Sequence, residues 1–216
     1  MMKSENKPVP YVVVKRLPRY HRYLGELLRE GITRISSSEL SQRMGVTASQ
    51  IRQDFNCFGG FGQQGYGYNI ETLHREIGDI LGLSHGYKTI ILGAGNLGHA
   101  LANHNSFEKR GFMLTGIFDV NPNLIGTVIN HVPVMSIDRL EAFCNENQVD
   151  IAILAVPKEA VDQLVPRLVQ LNIKGLWNFT YTDIEVPPHI AVENVHLSYS
   201  LMTLSYRITE INKGEN

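Results

Sequence analysis

The chain has 216 residues, enough for one or two domains, and its 43% hydrophobic and 19% charged residues make an ordinary globular composition able to bury a core. No apolar run approaches the roughly 20 residues of a spanning helix, and residues 1–8 lack the apolar stretch of a secretory signal. The only cysteines, Cys57 and Cys144, form neither a disulfide framework nor a metal cluster and fit a reducing cytoplasm.

The net charge of −1 conceals an asymmetry: residues 1–68 carry ten Lys/Arg against five Asp/Glu, residues 69–216 ten against sixteen. A basic front on an acidic rear points to a polyanion as partner of the front. From Leu17, with Pro18 in the first turn, Tyr20, Leu24, Leu27 and Leu28 recur at helical spacing, and Gly31 is a natural stop. Ser36, Ser37 and Ser38 offer N-caps to a short helix that buries Leu40 and Met44; Gly45 supplies a tight turn. Thr47 or its neighbour caps a second helix with Ile51 and Phe55 inward and Ser49, Gln50, Arg52 and Gln53 outward. Short or forked hydrogen-bonding side chains of that kind read base edges or hold phosphates, so the pair predicts a helix-turn-helix. An ordinary helical hairpin is the rival reading.

Residues 57–68 contain five glycines with interleaved aromatics, a pattern that predicts a hairpin and completes a winged helix. Gln63, Gln64 and Gly65 then form a tip suited to a minor groove. A phosphate loop would need a following Lys-Ser/Thr, which is absent. Lys15, Arg16 and Arg19 are candidate phosphate contacts. Residues 71–83 read as a helical linker, with a domain boundary near residue 85.

Residues 87–92 form an apolar strand, followed at once by Gly93, Ala94, Gly95, Asn96, Leu97 and Gly98 and then a helix. Between strand and helix, G-x-G-x-x-G is a dinucleotide fingerprint: the first glycine turns, the second admits a pyrophosphate, the third lets helix pack on strand. A second strand, 113–118, ends in Asp119, 21 residues beyond Gly98, where a carboxylate accepts from ribose hydroxyls and repels a 2′-phosphate. No Arg follows through Val120 and Pro122, which favours NAD(H); capping a turn is the plainer role for Asp119. Residues 136–147 read as a helix, 150–156 as a buried strand, 157–171 as a helix, and 174–179 and 191–197 as further strands. Strand–helix alternation implies a parallel sheet with ligands at the strands' carboxyl ends, which places Val156, Pro157, Asn178, Phe179 and Thr180 beside the nicotinamide. Leu201, Leu204, Ile208 and Ile211 form a last apolar stripe, able to pack on its own sheet or on a second subunit.

None of the eight histidines falls in a catalytic motif, and the rear module leaves no room for a substrate domain. A binding module is therefore preferred to an NAD-dependent oxidoreductase; a CoA-binding protein shares the same strand–loop–helix start. Residues 15–18, 36–40, 51–55, 58–59, 65–68 and 93–98, with Val156-Pro157, Gly175, Asn178-Phe179 and residues 191–195, resemble the Rex family of redox-sensing transcriptional repressors from about residue 8 to 210.

The resemblance implies an α/β protein with three parts. A winged-helix domain with helical linker spans 1–85, a Rossmann NAD(H)-binding domain 86–196, and a domain-swapped C-terminal helix 197–216. It implies a homodimer that binds palindromic operator DNA through the front module, is released by NADH, and is no enzyme. NADH and NAD+ would then be regulatory ligands. It also implies an Arg on the first helix, matched by Arg22, that pairs with an acidic residue, and a Tyr near the cofactor. His196 and His104 stand at those two positions, so either Asp183 or Glu193 takes over the contact or the histidines add pH sensitivity near neutrality.

Overall fold

A computed structural model describes residues 9–58, 62–63, 66–104 and 106–214. The chain divides into two compact units, Met1–Ser84 and His85–Asn216.

In the front unit, α1 (Tyr11–Val14) precedes α2 (Leu17–Arg29). The predicted stripe of α2 is the buried one: Leu17, Tyr20, Leu24 and Leu27 lie in the core and Leu28 packs at its edge. β1 (Arg34–Ile35) leads into α3 (Ser37–Met44) and α4 (Ala48–Asn56). Ser36 caps α3 in a full capping box, its hydroxyl accepting from Glu39 N while Glu39 accepts from Ser36 N. These bonds favour the ionised side chain and hold the Glu39 carboxyl below its ordinary value. Gly45 takes the left-handed conformation at the turn, and the Thr47 hydroxyl accepts from Gln50 N to start α4.

The hairpin is present. β2 (Gly62–Gln63) pairs antiparallel with β3 (Gly67–Asn69), which also pairs antiparallel with β1, a strand too short to show in the sequence. Gln64 and Gly65 lie outside the described residues. The segment read as a linker is instead α5 (Ile70–Ile80), capped by Asn69. Its Ile70, Leu73 and Ile77 are buried in the same core as α2, so it belongs to the domain rather than leading out of it. A linker and a core helix share one amphipathic pattern; only the facing stripe of α2 separates them.

A single buried carboxylate ties this unit together. Asp54 of α4 is 2% exposed and accepts from Arg16 Nε (2.7 Å), Arg16 Nη2 (2.6 Å) and the Tyr20 hydroxyl (2.7 Å). Hydrogen bonding to Asp54 raises the Arg16 pKa, and burial pushes the Tyr20 phenol up. Arg19 also donates to the Met44 carbonyl at the end of α3. The start of α2 thus holds both helices of the helix-turn-helix.

In the rear unit, β4 (Tyr87–Leu92), α6 (Asn96–Ala102) and β5 (Phe112–Asp119) follow the expected order. A hairpin of β6 (Val128–Ile129) and β7 (Val132–Ser136) then intervenes. The helix expected over 136–147 is therefore shorter: a 3-10 turn at Ile137–Arg139 leads into α7 (Leu140–Asn147). β8 (Ile151–Leu154), a 3-10 turn at Lys158–Ala160, α8 (Val161–Gln170), β9 (Gly175–Asn178), β10 (Ala191–Asn194) and α9 (Leu197–Gly214) complete it.

The sheet runs β10-β9-β8-β4-β5-β7-β6, parallel except for β6. From β4 the chain builds outward through β5 and β7, then crosses back to β8, so the order reverses between β4 and β8. That is the doubly wound arrangement, and its switch point lies at the carboxyl end of β4. Alternation along β4 divides the core: Ile90 and Leu92 pack with Leu140, Cys144, Leu164 and Leu168 on one face, Ile91 with Ala102, Ile117 and Ile153 on the other. No helix among the described residues is long and apolar enough to cross a membrane.

Replacing Arg16 with Met would leave the Asp54 carboxylate buried with only the Tyr20 hydroxyl. A loss of about 3 kcal/mol follows for a broken buried pair, read from the urea transition of the full chain. The imidazoles of His21 and His74 stack at 3.9 Å between α2 and α5. Desolvation first, then the charge of Arg29, lowers the His74 pKa. The unfolded chain then takes up the proton more readily, so stability is full above about pH 6.5 and falls as pH drops below it. Thermal unfolding midpoints should decline on acidification, and less steeply in His74→Phe.

Candidate functional site

Two sets of residues carry the chemistry, one in each unit. On the front unit the exposed side of α4 presents Ser49, Arg52 and Gln53, with Gln50 half-buried. Arg52 donates to Ser37 Oγ (2.9 Å) and Ser49 Oγ (3.3 Å). Ser36 and Thr47 act as caps, and the Ser38 carbonyl accepts from Ser41. Lys15 is exposed, its ammonium 4.9 Å from the Tyr11 ring centroid. Arg16 departs from expectation. Its fork is taken up by Asp54, so it positions α4 instead of offering a free cation to phosphate. The signal lay in α4 itself, where Asp54 falls at the inward spacing of Ile51 and Phe55 and so needed a partner in the core.

In the rear unit the glycine loop sits at the switch point. Gly93 has φ +97°, and a Cβ there would collide with the Ala155 carbonyl; a Cβ on Gly98 would collide with the Gly93 carbonyl. Both positions therefore demand glycine, the first to turn and the last to let α6 close on β4. Gly95, the N-cap, carries no side-chain cap, and the first N–H groups of α6 have no partner in their own helix. Those groups can receive phosphate oxygens.

Asp119, at the end of β5, accepts from Ala94 N (2.6 Å) through Oδ2 and from Asn121 N (2.8 Å) through Oδ1. Each oxygen retains a lone pair, so the carboxylate can cap this turn and still accept from ribose. Val120 beside it is 76% exposed. Val156 and Pro157 follow β8, with Val156 against Gly93.

Asn178 and Thr180, at the carboxyl end of β9, turn their side chains into the protein. Asn178 is 0% exposed; its amide donates to Thr182 O and Asn194 Oδ1, both at 2.8 Å, and its carbonyl accepts from Thr180 N and Oγ1. These bonds order the chain after β9. Phe179 contacts Trp177 edge-on at 4.7 Å, and Trp177 contacts Phe107 at 5.4 Å, an aromatic cluster on the face of Ile91 and Ala94. Neither Trp177 nor Phe107 sits in a sequence motif; only the packing of β9 brings them together.

Family models match both units: "Putative DNA-binding protein N-terminus" over residues 8–56 and "CoA binding domain" over residues 85–182. The chain is 57% identical over 207 residues to the redox-sensing transcriptional repressor Rex of Thermoanaerobacter pseudethanolicus, covering 96% of this chain and 92% of that one. The chain belongs to the Rex family of redox-sensing transcriptional repressors. Among solved structures it is similar to the Rex-family repressor RSP in complex with beta-NAD+ and operator DNA, with TM-score 0.90 and 56% identity, covering 97% of this chain and 96% of that one. It is similar also to RSP in complex with beta-NADH, with TM-score 0.89 and 53% identity over 97% and 98%.

His104 and His196, the two positions at which the resemblance implies other residues, have aromatic settings. His104 stacks on Phe107 at 4.5 Å and its Nδ1 lies 2.7 Å from the Ser106 hydroxyl. His196 lies between Tyr181 and Tyr199, with Nδ1 buried and lacking a hydrogen-bond partner. Arg22 pairs with Glu26 one turn along its own helix. The α9 stripe does not pack on its own sheet: Leu201, Leu204, Ile208 and Ile211 are 49–67% exposed. Of the two readings of this stripe, packing within the chain is set aside.

Gly98→Ala should weaken NADH binding at least about tenfold while leaving the circular dichroism of the chain unchanged. Trp177, the single tryptophan, offers the readout through energy transfer to NADH.

Proposed function

We propose that this chain is a DNA-binding repressor whose rear unit senses redox state by binding NADH or NAD+ at Gly93–Gly98. NADH binding releases the front unit from a palindromic operator. The observation that carries the reading is the coexistence of two built sites in one chain: a winged helix with a cationic recognition face, and a glycine loop at a doubly wound switch point. The RSP relatives support the pairing, being described with operator DNA and beta-NAD+ and with beta-NADH. Gln50, Arg52 and Gln53 meet bases or phosphates, with Ser49 beside them, Lys15, Ser36, Ser37, Ser38 and Thr47 completing the DNA-facing set, and Gln63, Gln64 and Gly65 as wing contacts.

The nucleotide is a signal in this reading, not a reagent. Asp119 selects NAD(H), and the aromatic and apolar surroundings of Trp177, Phe179 and Val156 penalise the cationic ring of NAD+ relative to NADH. A ligand shifts a two-state protein only by its difference in affinity for the two states, so this discrimination is what makes the switch redox-sensitive. The exposed stripe of α9 supports a homodimer, and two recognition helices in a dimer call for a palindromic site. Cytoplasmic location follows from the work of a DNA-bound regulator.

In a gel shift on palindromic promoter duplexes, NADH should release the protein at concentrations where NAD+ does not. If neither nucleotide alters binding, the redox reading fails; turnover of an alcohol or hydroxy acid with NAD+ would restore the oxidoreductase alternative. Arg52→Ala should weaken DNA binding with NADH binding intact, and Asp119→Ala the reverse.

A further inference from the structure

Arg52 differs from the other arginines of the front unit whose partners are described. Arg16, Arg22 and Arg43 pair with carboxylates, and Arg19 and Arg34 donate to backbone carbonyls. Arg52 donates to two hydroxyls, Ser37 Oγ through Nη1 and Ser49 Oγ through Nη2. Ser37 is the first residue of α3 and Ser49 the second of α4, so the fork is gripped from both helices at their shared corner.

The partners matter because they hold the cation without neutralising it. A carboxylate at this place would compete with any acidic or acceptor-rich ligand; a hydroxyl only orients. Each terminal nitrogen of a guanidinium carries two N–H groups, so one on each remains after the serines are served. Two N–H groups in one plane are what the O6/N7 edge of guanine accepts in the major groove. A long side chain that is already ordered loses less rotamer freedom on binding.

We propose that Ser37 and Ser49 are positioning residues that preset the Arg52 fork to read one guanine of the operator half-site. The inference rests on the operator-binding function given above and adds to it the residues that set specificity at one base pair.

The test uses the full chain. The wild-type protein selects a palindromic duplex from a random pool, and dissociation constants are then measured for that duplex and for versions with each half-site base pair changed singly. Ser37→Ala and Ser49→Ala should each weaken binding to the selected duplex by about 3- to 10-fold. The loss of discrimination should be confined to one G·C pair, the same pair at which Arg52→Ala loses it. In the Arg52→Ala background the serine changes should add nothing, and Ser37→Thr, which keeps the hydroxyl, should restore discrimination. Unchanged NADH binding and melting temperature verify folding.

Serine variants that weaken every duplex equally, or that act in the Arg52→Ala background, would show hydroxyls bound to phosphate and overturn the inference. Serine variants indistinguishable from wild type would overturn it too. A wild-type protein that selects no duplex would defeat the operator-binding function itself, an outcome separate from inert serines on a protein that selects normally.

Discussion

The rear unit depends on one close approach, that of Gly98 to the carbonyl of Gly93. Without a side chain at either position, α6 closes onto the end of β4 and its unpaired N–H groups are delivered to the point where the strand order reverses. The carboxylate of Asp119 then fastens the loop from the neighbouring strand by accepting from Ala94 N. Loop, helix and acceptor are thereby set before any ligand arrives, which reduces the ordering a dinucleotide must impose.

The front unit reaches a comparable result by other means. There a carboxylate buried under α4 gathers the Arg16 fork and the Tyr20 hydroxyl, so that the recognition helix is anchored to the start of α2. Each unit thus uses one aspartate on the element that carries function, held by donors from elsewhere in its own fold. A buried ion pair is poor evidence of net stability, but it fixes orientation, since any other placement of α4 would strand a charge. Arg52, on the opposite side of the same helix, donates to two hydroxyls and to no carboxylate among the described residues.

The C-terminal helix is the element the chain's own core does not complete. Its leucines and isoleucines are exposed along α9, and a contiguous apolar face of this kind marks an interaction surface. This surface is what supports the homodimer proposed above.

Residue type alone determined much of this protein. The helix stripes, a cap among Ser36, Ser37 and Ser38 and another at or beside Thr47, the turn at Gly45, the glycine fingerprint between strand and helix, and the spacing to Asp119 were legible because each follows from local periodicity or backbone sterics. Tertiary structure decided the rest. It took Arg16 away from the phosphate set and gave it to Asp54, because a polar residue on an inward face must find its partner 38 positions away. It turned Asn178 and Thr180 inward, since both lie where a strand ends and buried backbone needs side-chain acceptors and donors. It made a core helix of the supposed linker and inserted the β6–β7 hairpin, whose short strands give no periodic signal. Local pattern fixes what an element can be; only packing across the chain settles which neighbours its polar groups meet, and so which of them are left for a ligand.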